Sequence, residues 1–385
     1  MSKLQELIKE LCPDGVEFRK LGEVCEITIG EFVHKNKQIE DGKYPVYNGG
    51  RENTGFYESY NNIGNKVIIS ARGANAGYVN KVLTNYWAGN SCYSLFPLDV
   101  QYLNWFFLYY VLKSKEKELM GNQQTGSIPA LSKKQIEQIE IPLPPLEVQN
   151  EIVRILDTFT SHAAELHAEL QARKEQYEYY RNKLLTFDEN DEGVKWMKLG
   201  DVTFYPKERI SISLLHKDNY IGVDNLLPNK QGKKESDYVP SNGSCILYNV
   251  NDILIGNIRP YLKKIWMSNN NGGTNGDVLV FRLKDEFLNH IMHKYLYYLL
   301  SSDDFFNYDN QYAKGAKMPR GDKNMNMKYI IPIPPFSEQQ RIVSILDKFE
   351  SLVNDLTAGL PAEIAAVQEQ YEYYRNKLLT FKRKS

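Results

Sequence analysis

Glu175–Phe187 reads EQYEYYRNKLLTF, and the same stretch stands again, unchanged, at Glu369–Phe381. Further matched pairs precede these two copies in the same order. Ile141-Pro-Leu-Pro-Pro-Leu146 returns as Ile331-Pro-Ile-Pro-Pro-Phe336. Each is followed by a related run, IVRILDTF at Ile152–Phe159 and IVSILDKF at Ile342–Phe349. Upstream, VEFRKLGEV at Val16–Val24 matches VKWMKLGDV at Val194–Val202. Matched segments in a shared order mean a tandem duplication. Each half reads as an opening strand, a variable globule, a Pro-rich turn and a long helix. The variable stretches, roughly 25–140 and 203–329, are similar only in outline. Both hold short β-like runs (Val67–Ser70 and Ile253–Gly256), an Asn/Gly loop (Ala88–Ser91 and Gly273–Gly276) and an aromatic helical run (from Tyr102 and from His293). The expected fold class is α+β, with two similar mixed α/β globules joined by two long helices in a pseudo-two-fold duplication.

Proline sets where those helices begin. Pro144-Pro145 and Pro334-Pro335 cannot lie inside a helix, so each helix starts just after them. In the first, Ile152, Leu156, Phe159, Ala163, Leu166, Leu170, Arg173, Tyr177, Tyr180 and Leu184 alternate in steps of four and three, a coiled-coil seam. Leu146 to Phe187, if continuous, spans roughly 60 Å at about 1.5 Å per residue. The second seam runs through Ile342, Leu346, Phe349, Val353 and Leu356. It then slips to Leu360 and Ile364 before resuming at Val367, Tyr371, Tyr374 and Leu378. That slip is a stutter, and with Gly359 and Pro361 beside it a kink or short gap is expected. The first helix also carries a small tandem repeat, Ala163-Ala-Glu-Leu166 then His167-Ala-Glu-Leu170, which reads either as a plain alanine-rich helix surface or as a spacer adjustable by one turn, the spacer being the expectation. The two helices are expected to pair antiparallel with one globule at each end. The expected boundaries are 1–145 for the first globule with its N-terminal helix, 146–187 for the first long helix, 188–335 for the second globule and 336–385 for the second long helix.

Composition narrows the function classes. The 385 residues are too many for one ordinary core and suit two domains. With 47 Lys and Arg against 48 Asp and Glu the formal charge is −1, so nucleic-acid binding has to come from local patches. Cys12, Cys25, Cys92 and Cys245 form no CxxC pair and read as free buried thiols of a reducing compartment. The start, MSKLQELIKELCPDG, reads as an amphipathic helix and not as a signal peptide. No apolar run is long enough to span a bilayer, so a cytoplasmic protein is expected.

The duplicated IPLPPLEVQNEIVRILD and IPIPPFSEQQRIVSILD segments, the twin EQYEYYRNKLLTF helix ends and the KLGEV/KLGDV openings resemble the specificity (S) subunit of Type I restriction–modification systems over essentially the whole chain. The AAEL-HAEL pair resembles the short tandem repeats that vary spacer length in one branch of that family. The resemblance implies two target-recognition domains, each reading one half of a split, asymmetric DNA site. It also implies helices that dock two modification subunits, which carry S-adenosylmethionine and methylate adenine. Restriction subunits using ATP and magnesium join the larger assembly. Ile152, Leu156, Tyr177, Tyr180, Ile342, Leu346, Tyr371 and Tyr374 are the expected spacer and partner-docking positions of those helices.

No catalytic constellation is legible in the chain itself, so a non-catalytic subunit is expected. An adenine methyltransferase holds the flipped base with a polar-Pro-Pro-aromatic tetrad. Ile333-Pro-Pro-Phe336 lacks the polar member, and Leu143-Pro-Pro-Leu146 lacks both ends. There is no GxxxxGK[ST] loop and no Gly-rich cofactor loop after a strong strand. His290 and His293 share helical spacing, but no third metal ligand accompanies them. The expectation is therefore no metal and no cofactor on this chain. The alternatives are a stand-alone DNA adenine methyltransferase, which would bind S-adenosylmethionine by itself, and a two-headed scaffold without a DNA role.

For DNA reading, Lys and Arg supply phosphate contacts, while Arg matches guanine and Asn or Gln matches adenine through paired hydrogen bonds. In the first globule the candidates are Asn48, Arg51, Arg72, Asn75, Asn90 and Gln124, with Arg72 and Asn75 in a Gly-containing loop just after a strand. In the second they are Asn257, Arg259, Tyr261, Lys263 and Asn275. The locally basic run Lys314–Arg320, with Lys314, Lys317 and Arg320, reads as a phosphate-contacting loop before the Pro-rich turn and aligns with Gly126–Pro129.

Overall fold

A computed structural model describes residues 3–121, 129–188, 190–354 and 359–384. It divides into two compact units, Met1–His167 with Glu363–Ser385, and Ala168–Ala362. The division does not follow the globule-and-helix boundaries. Each unit holds one globule, the start of the long helix that follows that globule, and the end of the long helix of the other half.

In the first unit, Cys25–Ile29, Cys92–Pro97, Lys66–Ser70 and Val79–Val82 lie side by side in one antiparallel sheet. A smaller sheet runs Phe56–Tyr57, Tyr44–Tyr47, Trp87–Ala88, its last pair parallel. Glu17–Lys20 pairs with Glu140–Leu143 as a separate ribbon. The second unit repeats this plan. Its main sheet runs Thr203–Phe204, Val278–Leu283, Ile253–Gly256, Ile265–Met267. Its smaller sheet runs Arg209–Ser211, Ser244–Tyr248, Gly272–Thr274, Tyr220–Ile221, again with the last pair parallel. Its ribbon joins Lys195–Lys198 to Ile330–Ile333. The β-branched runs explain the centres of the main sheets: Val67–Ile69 and Ile253–Ile255 are buried throughout, as a strand covered on both faces requires. Proline fits the ribbons because each has only two strands, so Pro142 opposite Phe18 and Pro332 opposite Trp196 need donate no inner ladder bond.

The Pro-rich turns end where expected, and the helices begin at Leu146 and Phe336. A buried glutamine locks each turn. Gln149 donates through Nε2 to the carbonyls of Pro144 (2.8 Å) and Tyr102 (2.9 Å), and accepts at Oε1 from the amide of Asn104 (2.9 Å). Gln339 does the same with Pro334 (2.9 Å), His290 (2.9 Å) and Met292 (3.0 Å). A fully satisfied buried amide fixes the angle between the helix and the globule that it leaves. The aromatic helices Trp105–Ser114 and His293–Leu300 meet the long helices through matched pairs, Tyr110 to Asp157 and Tyr298 to Asp347.

Within each unit the two helix segments run antiparallel. In the first, Phe159 stacks on Tyr374 (5.4 Å between centroids), while Val16 and Lys382–Lys384 exchange backbone hydrogen bonds beside the ribbon that leads into the long helix. In the second, Phe349 stacks on Tyr180 (5.6 Å), the equivalent contact. Ile152, Leu156, Ile342 and Leu346 are completely buried, so they seat each helix on its own globule and are not available to dock a partner. Tyr177 is also buried, Tyr371 is half-buried, and only Tyr180 and Tyr374 of that set are exposed.

The first long helix is unbroken over Leu146–Leu185. The second is split into Phe336–Asn354 and Leu360–Leu378, with Gly359 just ahead of the second piece and Pro361 in its first turn, where proline is tolerated. Leu356 lies outside the described residues. The N-terminal helix spans Lys3–Leu11, and all four cysteines are buried and unpaired. Among the described residues no helix is long and apolar enough to cross a membrane.

Candidate nucleic-acid interface

Backbone hydrogen bonds gather the first unit's loops at one place. The Gly89 amide donates to the Tyr47 carbonyl (2.8 Å), Ala71 to Ser91 (2.8 Å), Gly73 to Pro129 (2.9 Å) and Leu131 to Ala71 (2.9 Å). Asn48, Arg51, Arg72, Asn75 and Asn90 are brought together by this wiring, and Arg51, Arg72 and Asn90 are exposed. Arg51 Nε donates to Asn75 Oδ1 (3.3 Å), and its guanidinium lies over the Tyr78 ring (5.6 Å). One of its five donors is thus used for placement. Gly49 and Gly89 permit this crowding: a Cβ at Gly49 would sit 2.2 Å from the Arg72 carbonyl oxygen, and one at Gly89 would sit 1.6 Å from Asn48 Oδ1. Gln124 lies outside the described residues, as do residues 126–128 of the loop aligned with the basic run.

The second unit has the same wiring. The Asn257 amide donates to Asp277 (2.8 Å), Arg259 to Pro319 (2.7 Å) and Gly321 to Asn257 (3.1 Å). Matching these bonds one by one puts Asn257 at the Ala71 position, Ile258 at Arg72, Arg259 at Gly73 and Arg320 at Ala130. Arg259 is exposed and left-handed (φ 55°), as Gly73 is (φ 90°). Lys263 is left-handed as well (φ 50°), and between them Pro260–Leu262 makes a tight helical turn with Tyr261 half exposed. A left-handed arginine and lysine cost roughly 1–3 kcal/mol each and persist only when their surroundings hold them. Loops of this kind gather at ligand-contacting sites.

The Asn/Gly loops also exchange roles. On the parallel pairs Tyr47↔Ala88 and Ile221↔Thr274, Asn48 faces Gly89 in the first unit, whereas Asn275 faces Gly222 in the second. The Asn275 side chain also accepts from the Asp277 amide (3.1 Å). An asparagine thus sits beside each parallel pair, supplied by opposite strands.

Four candidates need correction. Asn257 is 5% exposed and points inward. Its Oδ1 and the Asp309 carboxylate both crowd Gly321, where a Cβ would lie 2.2 Å from Asp309 Oδ1 and 2.9 Å from Asn257 Oδ1, and the Asn326 side chain meets Asp309. Asn257 is a core residue, not part of the exposed loop surface. Lys263 Nζ is held by Asp303 Oδ1 (2.9 Å), so its charge faces a carboxylate rather than a phosphate. Lys314–Arg320 forms a hairpin closed by two 2.9 Å backbone bonds, but Lys314 pairs with Asp322 (2.6 Å) and Arg320 with Asp277 (3.3 Å). Of the charged residues in that run, only Lys317 is exposed with no ion pair among the described residues.

Two carboxylates of the second unit stand apart in their electrostatics. Burial pushes the Asp303 carboxyl up, but hydrogen bonds from Lys230 and Lys263 outweigh it and hold it at about 2. Burial raises Asp309 to about 6, against the neighbouring Asn326 amide. Neither residue is marked in the sequence, because the groups that act on them are not their neighbours along the chain. Gln149 and Gln339 had a usable signal, since both stand in the fourth place after a duplicated Pro-Pro. Among the described residues no three His, Cys, Asp or Glu side chains group as a metal site. Ile333-Pro-Pro-Phe336 is a strand-to-helix turn with Ile333 and Pro334 buried.

Comparison with known proteins agrees with this duplicated plan. The model of the Type I restriction modification DNA specificity domain matches twice, over residues 13–176 and 191–366. The Haemophilus influenzae protein S.HindORF215P is 31% identical, over 95% of this chain and 96% of its own length. The Type I restriction enzyme EcoR124I/EcoR124II specificity subunit of Escherichia coli is 33% identical, over 71% of this chain and 70% of its own length. The crystal structure of a Type I restriction–modification S subunit from M. genitalium has a similar fold, with a TM-score of 0.60 at 18% identity over 95% of this chain and 96% of that one. A chain from a structural study of complex assembly in the type I R-M system is similar too, with a TM-score of 0.61 at 16% identity over 95% of this chain and 98% of that one.

Proposed function

The chain belongs to the family of Type I restriction–modification DNA specificity proteins, and from that membership we propose that it is the sequence-reading, non-catalytic subunit of such a complex. Each unit reads one half of a split, asymmetric duplex site. The long helices set the distance between the halves and dock two modification subunits, which bring S-adenosylmethionine and methylate adenine. Restriction subunits bring ATP and magnesium. The observation that carries the reading is the duplication itself: two units share one backbone wiring around their loops, yet present different side chains there. Arg72 and Asn90 in the first unit are replaced by Ile258 and Gly276 in the second, while Gly73 is replaced by Arg259. Equal scaffolds with unequal tips fit two different half-sites.

The test is co-expression with the cognate modification subunit, followed by direct sequencing for methylated adenine. One split motif is expected. Arg72→Ala should then relax base preference in one half of the motif and Arg259→Ala in the other, each by about tenfold, since a good base contact is worth roughly 1–3 kcal/mol of discrimination. If both substitutions affect the same half, the assignment of one half-site per unit fails. If no motif emerges from a soluble, assembled complex, the specificity role itself fails.

A further inference from the structure

Resting on that reading, we propose that Asp303 is a positioning residue that fixes the second unit's reading loop, Arg259–Lys263, to the long helix. Asp303 Oδ1 receives Lys263 Nζ (2.9 Å) and Lys230 Nζ (2.9 Å), and Arg181 Nη2 lies 3.9 Å away. Arg181 belongs to the first long helix. Its side chain is only 2% exposed and pairs with Glu178 (2.7 Å). Lys230 stands within 3.7 Å of the same glutamate. The lysines also bring their backbones: the Asn229 amide donates to Leu262 (2.8 Å) and Lys230 to Lys263 (2.9 Å). Asp303 is itself fixed, because it opens the helix Asp303–Gln311, which Ser302 caps by accepting from the Phe305 amide (3.2 Å).

The loop is therefore clamped at both ends. Pro319 holds Arg259 through the backbone, and Asp303 holds Lys263 through charge. Both clamped residues are left-handed, so the conformation between them survives only while the clamps hold. Arg375, in the identical EQYEYYRNKLLTF of the other half, lies over Tyr371 (5.4 Å) and has no ion pair among the described residues. The first unit instead places its loop through Arg51 and Asn75. One helix sequence thus serves two units, and the added carboxylate makes it a loop anchor in only one of them.

Removing the Asp303 charge leaves Arg181, Lys230 and Lys263 facing one another with Glu178 as the nearby counter-charge, so the Lys263 end loses its side-chain anchor and keeps only its backbone bonds, while the sheets are untouched. The complex carrying Asp303→Asn should be compared with wild type on duplexes bearing single-base changes in the motif that the wild-type complex methylates. We expect discrimination to fall about tenfold in the half-site that Arg259→Ala also relaxes, with the other half-site unchanged. Asp303→Glu should restore most of it, which loss of a merely structural contact would not predict. If the asparagine variant fails to assemble, Lys263→Gln carries the test, since it removes the other partner of the same clamp. Unchanged discrimination, or equal loss in both half-sites, overturns the proposal. A wild-type complex that methylates no split motif would instead refute the specificity reading, whatever position 303 holds.

Discussion

Asparagine in place of Asp309 is expected to stabilise the protein at neutral pH, although it removes a charge from the interior and adds no contact. Asp309 is completely buried. Its neighbours around Gly321 are amides, and no Lys, Arg or His pairs with it among the described residues. A buried carboxylate without a counter-charge is disfavoured in its ionised form. Burial accordingly lifts its pKa from 3.8 to about 6. The sign follows from proton binding. Because the folded state holds this proton more tightly than the unfolded chain, the associated stability is complete below about pH 4 and is lost as pH rises through about 6. A gap of roughly two units corresponds to about 3 kcal/mol at neutral pH, at about 1.4 kcal/mol per unit. Thermal unfolding at pH 4.5 and pH 7.5 tests this. The wild-type second unit should lose stability between those values beyond what its other groups account for, and Asp309→Asn should remove that loss and melt several degrees higher at pH 7.5. A lower melting point for the variant at pH 7.5 would mean that the carboxylate is paired after all. Asp303 predicts the opposite slope: its pKa is depressed to about 2, so its contribution is present above about pH 4 and lost as pH falls toward 2.

The difference between these two aspartates marks where sequence reading stops. The repeats, the starts of the helices after Pro145 and Pro335, and the break near Gly359 and Pro361 are all local or self-similar, and the chain states them openly. The loops are different. Arg72 and Arg259 look like counterparts because each follows a hydrophobic strand, but the hydrogen bonds to Pro129 and Pro319 place Arg259 on Gly73 instead. In a diverged duplication the backbone keeps register while side chains do not, and only the backbone partners reveal it. Asn257 looks exposed because a polar residue after Ile253–Gly256 suggests a strand end. That strand is buried on both faces, so alternation gives no warning that the next residue also points inward. Lys263 looks like a phosphate contact because its counter-ion is forty residues further on. Ile152, Leu156, Ile342 and Leu346 fall on the helical seam, and spacing alone does not say whether a seam faces the chain's own globule or a partner.

Deleting Ala163–Leu166 should abolish recognition at the original spacing and create recognition at a shorter one. The deletion removes four residues of helix, about 6 Å of rise and roughly one full turn with some 40° to spare. Because His167-Ala-Glu-Leu170 follows directly, Leu170 takes over the place of the buried Leu166, and the helix keeps an apolar residue there. The site of the cut also matters. The chain divides into its two compact units between His167 and Ala168, inside this tandem repeat, so the change falls where neither globule's sheets are touched. A base pair rises about 3.4 Å, so 6 Å corresponds to one or two base pairs. Methylated-adenine mapping of the deleted form should therefore show the same two half-sites with one or two fewer base pairs between them, and no signal at the original motif. A composition control that keeps the length, Ala164→Gln at an exposed position, should leave the original motif intact. If the four-residue deletion still methylates at the original spacing, the helix is not the ruler. The distance between half-sites would then be fixed by the modification subunits, and the AAEL-HAEL repeat would be only helix surface.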